Sequence, residues 1–174
     1  MKRTVWIWQL FGFSFASLSG TVLHFLYEWL GKPTWISPFA AVNESTWEHM
    51  KLLFWPMLIY TIAESFFFRN YDSFLCVKLR GTLLGLGLIP LIFYTYNGVI
   101  GKSPDWINIA IFFIAAAVAF IYETFALTKN SVTCRSKKAA TAAFCLLAIL
   151  FIVFTFKAPT IEIFRDPTTS KYGI

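Results

Sequence analysis

Five apolar runs, at about residues 5–30, 46–68, 74–96, 106–127 and 139–156, take up most of the chain. Each is close to the roughly 20 residues that an α-helix needs to cross about 30 Å of hydrocarbon. Runs of that length leave few folds open, because in lipid every backbone N–H and C=O must be satisfied inside its own segment. The predicted fold class is therefore all-α: a polytopic integral membrane protein, a bundle of five transmembrane helices in a single domain over residues 1–174. A polar tail follows at 157–174, and the Pro- and Trp-containing stretch 31–42 makes an interfacial connector after the first helix. Composition agrees. With 57% hydrophobic, 20% aromatic and 14% charged residues and a mean hydropathy of +0.63, the chain lacks the polar surface to coat a soluble domain of 174 residues.

Met1-Lys2-Arg3, an apolar run and the small residues Ala16 to Gly20 have the outline of a secretory leader. Hydrophobicity continues through Leu30, however, so a retained first helix is expected. The net charge of +6 comes from residues lying between the apolar runs, where they meet anionic lipid headgroups; membrane lipids are the expected partners and nucleic acid is not. Five spans place Lys2, Arg3, Arg69, Lys78, Arg80, Lys129, Arg135, Lys137 and Lys138 on one side, against Lys32, Lys51, Lys102, Lys157, Arg165 and Lys171 on the other. That bias puts the N-terminus in the cytoplasm and the C-terminus outside.

Other features speak to packing. Pro56 should kink the second helix, and Gly81-x-x-x-Gly85 in the third allows close helix approach inside the bundle. Glu64 and Glu123 fall near the cytoplasmic ends of their helices, where salt bridges to Arg69, Lys78 or Arg80 are expected. Cys76, Cys134 and Cys145 form no C-x-x-C pair, so they read as ordinary core or loop residues rather than a disulfide relay or thiolate metal cluster.

The polar stretch Asn43-Glu44-Ser45-Thr46-Trp47-Glu48-His49-Met50-Lys51 stands out against this background. Polar groups at membrane depth cost several kcal/mol unless partnered or put to use. Part of the stretch is structural: Ser45-x-x-Glu48 is a capping box for the second helix. That leaves Glu44, His49 and Lys51 unexplained, and on the first helix His24 and Glu28, four residues apart, should reach the same depth. His24, Glu28, Glu44 and His49 can supply the two-histidine-plus-carboxylate set that leaves an open position on a divalent metal such as zinc. Metal-bound water could then attack a lipid-like ester, with Glu44, Glu48 and His49 as catalytic groups, Glu48 as general base, and Asn43, Lys51, Tyr94, Asn97 and Asp105 lining the substrate pocket. Neither H-E-x-x-H nor H-x-x-E-H is present.

Two other readings stand beside the hydrolase. The same cluster, with Pro56, Pro90, Glu64 and Glu123, could serve a small transporter or substrate-binding subunit for a polar or cationic solute. It could also hold the connector and tail to the bundle in a structural or interaction protein, alone, as a homo-oligomer or with a partner membrane protein. A nucleophile at Ser45 with His49 lacks an evident oxyanion hole, and no Gly-rich phosphate loop is present.

The string Leu23-His24-Phe25-Leu26-Tyr27-Glu28, the stretch Asn43 to Lys51 (NES-x-WEH-x-K), and the tail residues Arg165-Asp166-Pro167 with Tyr172-Gly173-Ile174 resemble a family of small, uncharacterised bacterial multi-span membrane proteins. The resemblance runs over the whole chain. It implies the bacterial cytoplasmic membrane and assigns no chemistry.

Overall fold

A computed structural model describes residues 2–68 and 70–174. Arg69, expected to pair with Glu64 or Glu123, lies outside the described residues, as does Met1. Five helices follow one another: α1 (Lys2–Trp29), α2 (Thr46–Ser65), α3 (Phe74–Val99), α4 (Asp105–Lys129) and α5 (Lys137–Phe156), with a 3-10 turn at Glu162–Phe164 in the tail. Four of them, α1, α3, α4 and α5, are long and apolar enough to cross a membrane.

The helix that does not meet that description is α2, and the reason is where its polar groups go. Glu48, Lys51, Thr61 and Glu64 all point inward and are buried, alongside Leu52, Leu53, Phe54 and Met57. α2 is thus the axis of the bundle, sheathed by more apolar neighbours that keep Trp6, Leu10, Leu18, Leu91, Ile121 and Ile149 on the outside. Its low hydropathy reflects internal pairing, which the expectation of five equivalent spans did not allow for.

Small residues decide how closely the others approach. On α1, Gly12, Ala16 and Gly20 recur every fourth position and are buried. A Cβ on Gly12 would sit 2.5 Å from the Tyr60 ring of α2, and one on Gly20 would sit 2.5 Å from the Phe112 ring of α4. On α3, Gly81 lies against the Glu123 side chain and Gly85 against Leu53 and Ala119, so the Gly81-x-x-x-Gly85 pair packs inside the bundle as its spacing predicts.

One expectation is overturned. Cys76, in the first turn of α3, and Cys134, in the linker between α4 and α5, form a disulfide, and Cys145 alone remains an exposed free thiol. A C-x-x-C motif marks a redox relay, whereas a structural bridge needs only that two loops converge. Here they do: the linker is also tied to the start of α3 by Ser73 Oγ donating to Asn130 Oδ1 at 3.2 Å and by Lys137 pairing with Asp72 at 2.8 Å.

Candidate functional site

The chain enters α2 through a dense set of local hydrogen bonds. Ser45 has extended backbone angles, and its hydroxyl accepts from the Glu48 N–H at 3.4 Å, as an N-cap should. The return arm of the expected capping box is missing. Glu48 instead accepts from the Val42 N–H at 3.0 Å, and Asn43 Oδ1 takes the Ser45 N–H at 2.9 Å. These bonds hold residues 42–45 in one conformation and so fix Glu44, the residue among them whose side chain is free to look outward.

The cap also sets the rotation of α2. His49, one turn further on, puts Nδ1 3.0 Å from the Ser45 carbonyl oxygen. A carbonyl can only accept, so Nδ1 carries the proton, and in the neutral imidazole Nε2 then presents a lone pair. That lone pair faces Glu44, with Nε2 to Oε2 at 3.6 Å, and His24 from the last turns of α1 brings its own Nε2 to 3.6 Å from the same oxygen. The two imidazole centroids are 5.4 Å apart, and one ligand atom from each of His24, Glu44 and His49 lies within 4.8 Å of the others. Donors bound tetrahedrally at about 2.0–2.2 Å from one zinc ion would be about 3.4 Å apart. The cluster therefore needs little movement to close on a metal.

The electrostatics favour a cation. Glu44, half-exposed, is held below the usual carboxylate range, first by its hydrogen-bonding contact with His24 and then by the nearby His49. It therefore stays charged throughout the neutral range. His24 Nδ1 is buried and has no partner.

The cluster sits on the wall of a cleft of about 550 Å³ lined also by Asn97, Lys102, Asp105 and Asn108. A second, largely apolar cavity of about 180 Å³ continues from His24 and His49 between α1 and α4, past Gly20, Leu52 and Phe112. Tail residues Pro167 and Thr168 close part of the rim.

Not every residue singled out from the sequence joins this site. Glu28 faces away, 62% exposed, and pairs with Lys32 at 2.9 Å. Glu48 and Lys51 pair with each other at 2.5 Å inside the protein. Lys51 also donates to the Ser37 carbonyl at 2.8 Å and the Thr155 hydroxyl at 3.0 Å, so its three protons are all used in joining the connector, α2 and α5. Asn43 donates to the Gly173 carbonyl at 2.9 Å and anchors the tail. Tyr94 lies 3.5 Å from Thr46 in a separate depression with Glu162 and Arg165. Asn97 and Asp105 do line the cleft, though Asn97 spends its amide on Phe93 and Ser103, shaping the loop before α4. Sequence reasoning missed Asn108 and Lys102. A signal for Asn108 existed, since it is a polar residue in the first turn of an otherwise apolar helix.

An all-helical chain with four membrane-length apolar helices and a paired-histidine, single-carboxylate cluster at one end of the bundle is the class defined by fold and site. The chain belongs to DUF6512, a family of unknown function whose model matches residues 2–174. No curated protein and no solved structure matches it.

Proposed function

We propose that the protein is a membrane-embedded metalloenzyme in which His24, Glu44 and His49 hold one divalent ion, with zinc the fitting choice, and that it hydrolyses a lipid-like substrate. The orientation of His49 carries this reading. An imidazole whose Nδ1–H is given to a backbone carbonyl, with Nε2 aimed at a shared carboxylate oxygen, is the arrangement by which proteins prepare a histidine for a metal. Three protein ligands leave one position for water, which a zinc ion makes acidic enough to act as hydroxide near neutral pH. The cleft supports the choice of substrate: polar groups surround the cluster, and the apolar cavity beside it suits a hydrocarbon chain. Glu48 is spent on Lys51 and the Val42 amide, so the general base passes to Asp105, the other carboxylate on the cleft wall.

The protein sits in the lipid of a bacterial cytoplasmic membrane with its N-terminus in the cytoplasm and the metal centre at the outer face, following the Lys and Arg bias of the loops. Elemental analysis of purified protein tests the proposal. One equivalent of divalent metal is expected in the native chain and in Glu28→Gln, and loss of it in His24→Ala, His49→Ala and Glu44→Gln. Metal-free native protein that stays metal-free after incubation with zinc refutes it.

A further inference from the structure

A second cluster of ionisable groups is buried at the other end of α2, well away from the histidines. Lys78 of α3 sits between Glu64 of α2 and Glu123 of α4, and all three side chains have no solvent exposure. Lys78 Nζ lies 2.9 Å from Glu64 Oε2 and contacts Glu123 Oε2. Gln9 of α1 completes the group, with Nε2 donating to Glu64 Oε1 at 2.5 Å. Among the described residues the other groups facing Lys78 are neutral, the Tyr60 ring of α2 at 5.5 Å and the Phe120 ring of α4 at 5.1 Å, and the Tyr60 hydroxyl is turned to the Trp8 carbonyl.

Fully ionised, two carboxylates and one ammonium leave an excess of one negative charge in a site closed to water. Such a charge costs several kcal/mol in effective desolvation, and proteins avoid it by neutralising a group. The donors around each carboxylate say which one. Glu64 has two within reach, Gln9 hydrogen-bonded to Oε1 and the Lys78 ammonium 2.9 Å from Oε2, although Oε2 lacks hydrogen-bond geometry, and two donors favour the ionised form. Among the described residues Glu123 uses only Oε2, while its Oε1 is buried with no partner beside Gly81. Gln9 Oε1, on a side chain only 2% exposed and already in contact with Glu64, is likewise a buried acceptor lacking a donor.

We propose that the Gln9–Glu64–Lys78–Glu123 cluster is a proton-binding site that holds one exchangeable proton at neutral pH, carried on Glu123. The bound species is a proton rather than a metal cation, because Lys78 already occupies the space between the two carboxylates where a hard cation would collect its oxygens. The site gives the protein a place to take up and release a proton at the end of the bundle opposite the metal cluster, and it does not depend on whether that cluster binds metal.

Infrared spectroscopy of the native chain in lipid, recorded across a pH series in H2O and D2O, tests this. A protonated carboxyl has a carbonyl-stretch band that ionised carboxylates lack. At neutral pH one such band is expected; it should shift in D2O, persist in Glu28→Gln and vanish in Glu123→Gln. Thermal unfolding at neutral pH supplies a second readout. Glu123→Gln replaces one neutral group by another of the same shape and should leave the midpoint near that of the native chain, whereas Glu64→Gln removes the charge opposite Lys78 and should lower it clearly. Absence of the band at neutral pH, its survival in Glu123→Gln, or a larger loss of stability in Glu123→Gln than in Glu64→Gln overturns the proposal.

Discussion

Lys51→Met should unfold the site end of the bundle without touching a single metal-ligand candidate. Lys51 is fully buried, and its ammonium neutralises Glu48 while donating to Ser37 and Thr155. Methionine fills a similar volume but leaves Glu48 charged, buried and with only the Val42 amide as donor. Breaking one partner of a buried ion pair costs about 3–5 kcal/mol, because the remaining charge is left uncompensated. The two orphaned acceptors do not reduce that figure, so the loss should fall in its upper half. The double variant Glu48→Gln, Lys51→Met removes both charges, and replacing a buried pair as a unit is often neutral; it should therefore recover much of the single variant's loss. Equilibrium unfolding in detergent micelles, with urea or a titrated denaturing surfactant, reads both values. A loss below about 1 kcal/mol in Lys51→Met is what an exposed pair would give, and it would refute the reasoning. So would a double variant less stable than the single one.

Three more expectations follow from the same geometry. Because the carboxyl of Glu44 is depressed, its share of metal affinity should be present above the ordinary carboxylate value of about 4 and disappear only as pH falls through its lower folded value, which zinc titrations at stepped pH would register. Gly12→Ala should destabilise the protein, since its Cβ meets the Tyr60 and Phe120 rings, while Gly87→Ala, with open space around it, should be neutral or stabilise by about 0.5–1 kcal/mol, as comparison of unfolding midpoints would establish. Asn43→Ala should release the tail from the bundle and speed its removal by carboxypeptidase without changing metal content.

Much of this protein is legible from residue order because apolar runs of about 20 residues mark helices long enough to cross a membrane. Gly31 and Pro33, Gly101 to Pro104 and the basic linker before α5 break the chain where the structure breaks it, although α3 runs on through Asn97 to Val99 rather than stopping at Tyr96. Rotation about a helix axis is harder to read. Gly20, His24 and Glu28 look like one face at four-residue spacing, but at about 100° per residue each step overshoots by about 40°. Glu28 is therefore carried about 80° round from Gly20, and Tyr27, within about 20° of it, takes the inward position. His24 lies between the two and reaches the cluster. The roles of Glu48 and Lys51 were hidden for a different reason: their partners, Val42, Ser37 and Thr155, come from a connector and a distant helix that no local pattern joins to α2. The Cys76–Cys134 bridge, spanning 58 residues, was illegible in the same way.

That bridge and the histidine cluster occupy opposite ends of the bundle, one where α2 hands over to α3 and the other where α1 hands over to α2. In the proposed membrane orientation a bilayer would lie between them, and the two ends would be bathed by different fluids. Disulfides endure in oxidising compartments and are rare where thiol reductants are plentiful. A persistent Cys76–Cys134 bridge would therefore favour an oxidising compartment for the end that the Lys and Arg bias assigns to the cytoplasm, so the two signals point opposite ways. A thiol-alkylation gel on intact cells reports its sidedness directly.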